Sequence, residues 1–306
     1  MAGNMGDTGN MGDTGNMGDV GRLGGAGRGA FFADRLDLPF VSTVLGSGTE
    51  AKRAGAQRLA DAPGLTFERF WTAPYAAWRI FADFTATAGW RGALQKLPPD
   101  TALSVPDWKS WPLPPSIEGA AAPTETDVQR ELDLLVRAAE DERGDAMGEI
   151  LSQADDFITD FMALLAARPG VHGATARLLH AANLVASLGS MHFKHKFQRP
   201  RPSQLCPALK PPLEVPGHAS YPSGHATQAF LMAHCLAEAL DGTPHAPAIP
   251  IVEALATRIA RNREIAGLHY RSDTLGGQAL ARGLFGVLKG VPSFNSTVRA
   301  AKAEWA

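Results

Sequence analysis

The sequence predicts an all-α protein, a helical bundle with a long proline-rich loop set between two of its core helices. Three observations carry this. Residues 50–62 and 66–90 are rich in Ala, Arg, Leu and Phe, and within 124–143 the apolar spacing is the helical one: Val128, Leu132, Leu135 and Ala139 recur every three to four positions. No convincing series of alternating apolar and polar residues marks strands. Seven prolines crowd residues 199–222, which rules out a single helix there.

Taken in order, the elements begin with a tail. Residues 4–21 are three tandem hexapeptides, Asn-Met-Gly-Asp-Thr-Gly twice and then Asn-Met-Gly-Asp-Val-Gly, and glycine-rich sequence continues to Gly29. Such a segment cannot bury enough apolar surface to offset its backbone entropy. Calcium-binding Gly/Asp repeats need nonapeptide periods and many stacked copies. Residues 1–29 are therefore expected to be a disordered tail whose removal leaves fold and turnover intact, and residues 30–306 a single helical domain. Residues 50–62 and 66–90 read as helices, and the proline-rich 94–123 as an irregular connection. Thr124-x-x-Asp127 supplies a capping start for a helix running through Arg143. Further helices are expected at 147–167, 174–196, 223–240, 248–266 and 272–288.

Composition excludes several function classes. Lys+Arg is 29 and Asp+Glu is 31, giving a net charge of -2, without the basic footprint of a general nucleic-acid binder. The longest strictly apolar run, residues 161–167, is far short of the roughly 20 residues a membrane span needs. No charged start followed by an apolar stretch marks the first 30 residues, so a cytoplasmic protein is expected. Two cysteines, Cys206 and Cys235, cannot make a disulfide scaffold, and whether they pair is open; Cys235 sits in an apolar helical run and reads as a buried thiol. His192 and His195 flank Lys194 without a recognisable carboxylate or Cys ligand set for zinc. His172, His180, His234 and His245 read as packing or surface residues, and the apolar residues of 157–165 as core.

Three segments carry chemistry. From Phe161 to Leu213 there is no Asp or Glu, while Lys194, Lys196, Arg199 and Arg201 lie within eight residues. Alone, that is compatible with a solvated basic face; Arg and Lys also clamp phosphate oxygens. Next, Tyr221-Pro222-Ser223-Gly224-His225 places a turn before a helical run. A helix N-terminus offers backbone N–H groups to an anion, Ser223 adds a hydroxyl, Gly224 permits close approach, and His225 is placed for proton transfer. Last comes Arg263-x5-His269-x3-Asp273. His and Asp four apart can face each other along a helix, the Asp fixing which ring nitrogen of the His is free as nucleophile.

In this order and spacing, Lys194-x6-Arg201-Pro202, Pro222-Ser223-Gly224-His225 and Arg263-x5-His269-x3-Asp273 resemble the tripartite signature of the type 2 phosphatidic acid phosphatase and vanadium haloperoxidase superfamily. Arg199-Pro200 is out of register, because His192 rather than Lys stands seven residues before it. Asn262 departs from the pattern, which has serine before the arginine. The resemblance implies a helical bundle of that type. It makes Lys194, Arg201 and Arg263 the cations around a tetrahedral oxyanion, with Ser223 and the Gly224 N–H completing the cradle. In the phosphatase branch His269 attacks phosphorus to form a phosphohistidine, His225 protonates the leaving oxygen and then activates water, and Asp273 orients His269. The implied activity is a metal-independent phosphate monoester hydrolase without a cofactor, acting on a small-molecule phosphate ester. In the haloperoxidase alternative the cradle holds vanadate with His269 as the metal ligand, and peroxide and halide are the substrates. His218, seven residues before His225, resembles the bromoperoxidase form of the motif and is a candidate for the halide or substrate pocket. The doubled Arg-Pro of 199–202 and the short chain look more like soluble bacterial acid phosphatases, many of which are exported. A non-catalytic oxyanion-binding helical protein is the third alternative. Natural substrate and oligomeric state are not legible.

Overall fold

The computed structural model describes residues 71–87, 90, 127–168 and 170–306. Their regular elements are all helices, with no strand among the described residues. The 1–29 tail, the 50–62 helix, the 94–123 connection and the Thr124 cap lie outside them. The main helices are α1 (Ala73–Ala86), α2 (Asp127–Asp141), α3 (Arg143–Ser152), α4 (Ile158–Leu164), α5 (Gly173–Phe197), α6 (Pro202–Leu205), α7 (Gly224–Leu240), α8 (Ile249–Ile265), α9 (Arg271–Leu288) and α10 (Pro292–Glu304).

Helix α7 is buried on nearly every face, as its Ala- and Leu-rich sequence dictates. It packs against α5, α8 and α9, while α1 and α10 pack on α5. Glycines stand at two close contacts between helices. A Cβ on Gly277 of α9 would stand 2.8 Å from Ala226 Cβ and 2.9 Å from Ser223 O, so only glycine lets α9 approach the first turn of α7. A Cβ on Gly189 of α5 would stand 2.8 Å from Leu284 Cδ1. The core fills the space between these helices with Leu179, Val185, Leu231, Met232, Cys235, Leu236, Ile259, Leu280 and Leu284, all fully buried. Cys206 and Cys235 are both free thiols. No helix among the described residues is long and apolar enough to cross a membrane.

Several boundaries differ from expectation for local reasons. The helix expected through Arg143 stops at Asp141, and the one expected over 147–167 is two, α3 and α4, parted by a turn. Asp156 makes that break: its carboxylate accepts the Ile158 N–H at 2.9 Å, an N-terminal cap in mid-segment. On α2 the buried face is Leu132, Leu135 and Ala138 rather than Ala139, and the charged Glu131 is buried beside it. The proline-rich 199–222 stretch is irregular except for α6 and one 3-10 turn, Pro207–Leu209. Helix α10 was not anticipated. Its Glu304 accepts the Ala174 and Thr175 N–H groups at 2.7 and 2.9 Å, capping α5 from the other end of the chain.

The minor histidines pack as expected. His172 stacks on Trp305 at 4.4 Å, His245 lies 5.0 Å from the same ring, His234 lies 5.5 Å from Phe285, and burial pushes the His180 pKa down to about 4.

Candidate active site

The loop joining α8 to α9 presents His269. Its neighbours on either side are anchored: Leu268 packs with Ala138, Ile150 and Ile265, and Tyr270 with Leu132, Leu135 and Leu209. Gly267, at φ +75°, makes the turn out of α8 that side chains resist. Arg143 braces the loop from α3, its Nε donating to Ile265 O at 3.0 Å and a terminal nitrogen to Leu209 O at 2.8 Å. Between these anchors His269 is fully buried.

Asp273 sits in the first turn of α9, so the His269–Asp273 pair forms across a helix start, not along a helix as the spacing suggested. Asp273 Oδ2 takes the Tyr270 N–H at 3.0 Å, a helix cap, and meets His269 Nδ1 at 3.1 Å and the Ser220 hydroxyl. Arg201 NH1 lies 3.2 Å from His269 Nε2. Arginine can only donate, so Nε2 carries the lone pair and Nδ1 the proton given to Asp273. Both partners therefore select the same tautomer, the one with Nε2 available as nucleophile.

The cations converge on the same place. Lys194, at the end of α5, is buried and donates to Ala219 O and Ser220 O, both at 2.8 Å. Arg201 donates to His218 O and Leu268 O at 3.1 and 3.0 Å and to His218 Nδ1 at 3.0 Å. Lys194 and Arg201 thus spend these bonds on carbonyls and imidazoles, leaving their charge for an anion. Burial, and then the charge of Arg201, lower the Lys194 pKa; burial brings Arg201 to about 10 despite Asp273. His218, half-buried, is pushed to about 4 by burial and by Lys194 and Arg201.

Ser223 is the N-cap of α7, its Oγ accepting the Ala226 N–H at 3.3 Å and its own N–H bonding Asp273 O at 3.0 Å. Beside Gly224 the protein leaves room: outside its own helix only Ser190 Oγ, at 3.8 Å, lies near where a Cβ would be. His225 follows, buried against Phe157 at 5.1 Å between ring centroids. Its Nε2 lies 2.9 Å from Gln153 O and so carries a proton; its Nδ1, buried, has no hydrogen-bond partner among the described residues. Burial first, then Arg263, then His269 and Arg201 disfavour a charge on this ring. Burial and Arg201 do the same to His269 against the pull of Asp273. Burial thus favours the neutral form of both rings, and a nearby anion would raise their pKa values.

The structure thus gathers Lys194, Arg201, His218, Ser220, His269 and Asp273 by direct bonds, with Ser223 joined through Asp273. Arg263 and His225 are tied to them by charge. Two residues escaped the sequence reading. Arg199 and Glu131 are both buried, and Arg199 bridges Asp273 and Glu131 at 2.7 Å each. The signal for Glu131 was a carboxylate beside the apolar face of α2. For Arg199 the motif register argued against a role.

A search among curated proteins found no match. Residues 175–295, from the first turns of α5 into α10, match the PAP2 superfamily. That span holds Lys194, Arg201, Arg263, His225, His269 and Asp273, so the segment similar to the PAP2 superfamily is the one that carries the site.

Proposed function

We propose that the chain is a phosphate monoester hydrolase working through a phosphohistidine on His269. The observation that carries the reading is the agreed tautomer. His269 is buried with Nδ1–H held by Asp273 and its Nε2 lone pair beside Arg201. A phosphoryl group fits the donor set: Lys194, Arg201 and Arg263 for its equatorial oxygens, the Ser223 hydroxyl and the open face at Gly224 for the remainder. His269 Nε2 forms the bond to phosphorus as the ester P–O bond breaks, and the leaving oxygen takes the Nδ1 proton of His225, made an imidazolium by the charge of the bound phosphate. Neutral His225 then accepts a proton from water at Nδ1 as that water attacks phosphorus, freeing phosphate and restoring His269. The cations supply the charge neutralisation, so no metal ion is needed.

A second reading is favoured by one observation, the bond between His218 Nδ1 and Arg201. It puts a third imidazole beside the cradle. There vanadate would take the place of phosphate, held by the same cations and by His269 Nε2, and would supply the activation of peroxide for halide oxidation.

One paired assay separates the two: phosphate release from an aryl phosphate, and bromination with vanadate, peroxide and bromide. Phosphatase activity is expected, unaffected by chelators, inhibited by vanadate and nearly abolished in His269→Ala. His225→Ala should lose far more activity on alkyl than on activated aryl phosphates. A His269→Ala protein, free of contaminating phosphatase, that keeps the parent rate would remove the mechanism.

A further inference from the structure

We propose that Glu131 and Arg199 are a positioning pair for the nucleophile: Arg199, braced by Glu131, fixes which oxygen of Asp273 faces His269. Asp273 is fully buried and shares its two oxygens between different partners. Oδ1 takes Arg199 NH1 at 2.7 Å, whereas Oδ2 takes His269 Nδ1, Ser220 and the Tyr270 N–H. The same Arg199 NH1 lies 2.7 Å from Ser272 Oγ, and NH2 lies 2.7 Å from Glu131 Oε2. The guanidinium centre stands 3.7 Å above the ring of Tyr270, the residue after His269. Arg199 therefore holds the carboxylate together with the side chains of Tyr270 and Ser272, close behind the nucleophile in sequence.

Glu131 completes the grip from another helix. Its Oε1 accepts the Ser272 N–H at 2.7 Å, so α2 caps the start of α9, and its Oε2 also accepts the Ser272 hydroxyl at 2.8 Å. A planar five-donor fork fixed at both ends leaves the Asp273 carboxylate one orientation. A buried ion pair is a weak source of net stability relative to apolar residues of the same volume. Direction is what it supplies here: a rotated Asp273 would release Nδ1–H and let His269 turn its lone pair away from phosphorus. Arg199 acts on His269 through Asp273.

The inference rests on the phosphatase reading and is tested on the full chain with an aryl phosphate. Arg199→Gln and Glu131→Gln are each measured in the parent and in Asp273→Asn. In the parent, kcat should fall about 10- to 100-fold, as when groups orienting a site residue are removed, with KM within about 3-fold. In Asp273→Asn the same substitutions should change kcat less than about 3-fold, since the group they orient is already lost. Arg199→Lys, which reaches one carboxylate, should be intermediate. The double variant Glu131→Leu/Arg199→Met removes both charges and keeps apolar volume, so it should fold and still be slow. Equal losses in both backgrounds, a raised KM with intact kcat, or a fast double variant would overturn the proposal. The downfield proton resonance of His269 Nδ1–H, assigned by its absence in His269→Ala, gives a readout independent of turnover. It should shift in Arg199→Gln, and an unchanged resonance overturns the positioning role. If the parent hydrolyses no phosphate ester, the functional reading fails and this resonance alone decides the pair.

Discussion

Asn262 stands where the family pattern has serine, and it does what a serine is too short to do. Its Nδ2 donates to Glu149 Oε2 and to Gln153 Oε1, both at 2.9 Å. Gln153 is held again through its Nε2, which donates to Asp160 at 3.0 Å, and its backbone carbonyl is the acceptor that seats His225. Asn262 therefore supports His225 through one intermediate residue. Asn262→Ser should loosen Gln153 by about one net hydrogen bond, near 1 kcal/mol, a loss of about 5-fold. That loss should appear in kcat for alkyl phosphates, which need a proton, and be smaller for activated aryl phosphates. Equal kinetics on both substrate types would disconnect Asn262 from His225. The motif residues were legible because fixed spacings in sequence mark fixed turns: Ser223 caps α7, where Pro-Ser-Gly-His had placed a turn before a helical run, and His-x3-Asp pairs as expected but across the start of α9. Arg199 and Glu131 were not, because their meaning lies in partners 68 and 74 residues from Arg199, Glu131 and Asp273 respectively.

At the level of elements, the site is assembled where two helix starts meet, and glycine decides how close they come. Gly277 faces the Ser223 carbonyl and the Thr227 N–H, which a Cβ would approach to 2.9 and 3.1 Å. Backbone cannot move aside as a flexible side chain can, so Gly277→Ala must push α9 from α7. Overpacking of this kind costs about 1–3 kcal/mol. Because Asp273 and Ser223 ride on the two starts, turnover should fall together with the unfolding midpoint. Gly148→Ala is the control: Gly148 is exposed in α3 with nothing within 4 Å of its Cβ position, and alanine there should stabilise by up to about 1 kcal/mol with unchanged turnover. Equal midpoints and activities for the two variants would contradict this account. Helix existence was legible from composition and period, since α5, α7, α8 and α9 match their expected spans within two residues. The break between α3 and α4 was not: it depends on one Asp156 cap inside an otherwise helical composition. Missing it concealed Gln153 O, which the break frees for His225.

Across the whole molecule, the site's chemistry dictates how stability responds to acid. His180, His218, His225, His234 and His269 all have pKa values lowered chiefly by burial, His180 and His218 to about 4. Unfolded, each takes a proton near pH 6.5; folded, each resists it. Between pH 6.5 and about 4 the unfolded chain therefore binds more protons, and stability falls as pH falls, by at most about 1.4 kcal/mol per pH unit for each histidine. Asp273 acts in the same direction at lower pH. Despite its burial, Arg199, His269 and Ser220 hold its pKa below the ordinary carboxylate value. Its contribution is present above that ordinary value and is lost as pH drops through the folded one. Acid loss should come in two stages, histidines first and the carboxylate after. On the proposed reading inorganic phosphate would bind the folded site alone and its charge would raise the pKa values of His225 and His269 toward the unfolded value, so it should lift the midpoint and shrink the first stage. Urea unfolding at pH 8, 7, 6, 5 and 4, with and without phosphate, reads both effects. Stability that is flat from pH 7 to 5, or a first stage that phosphate leaves unchanged, would contradict this account of the buried imidazoles.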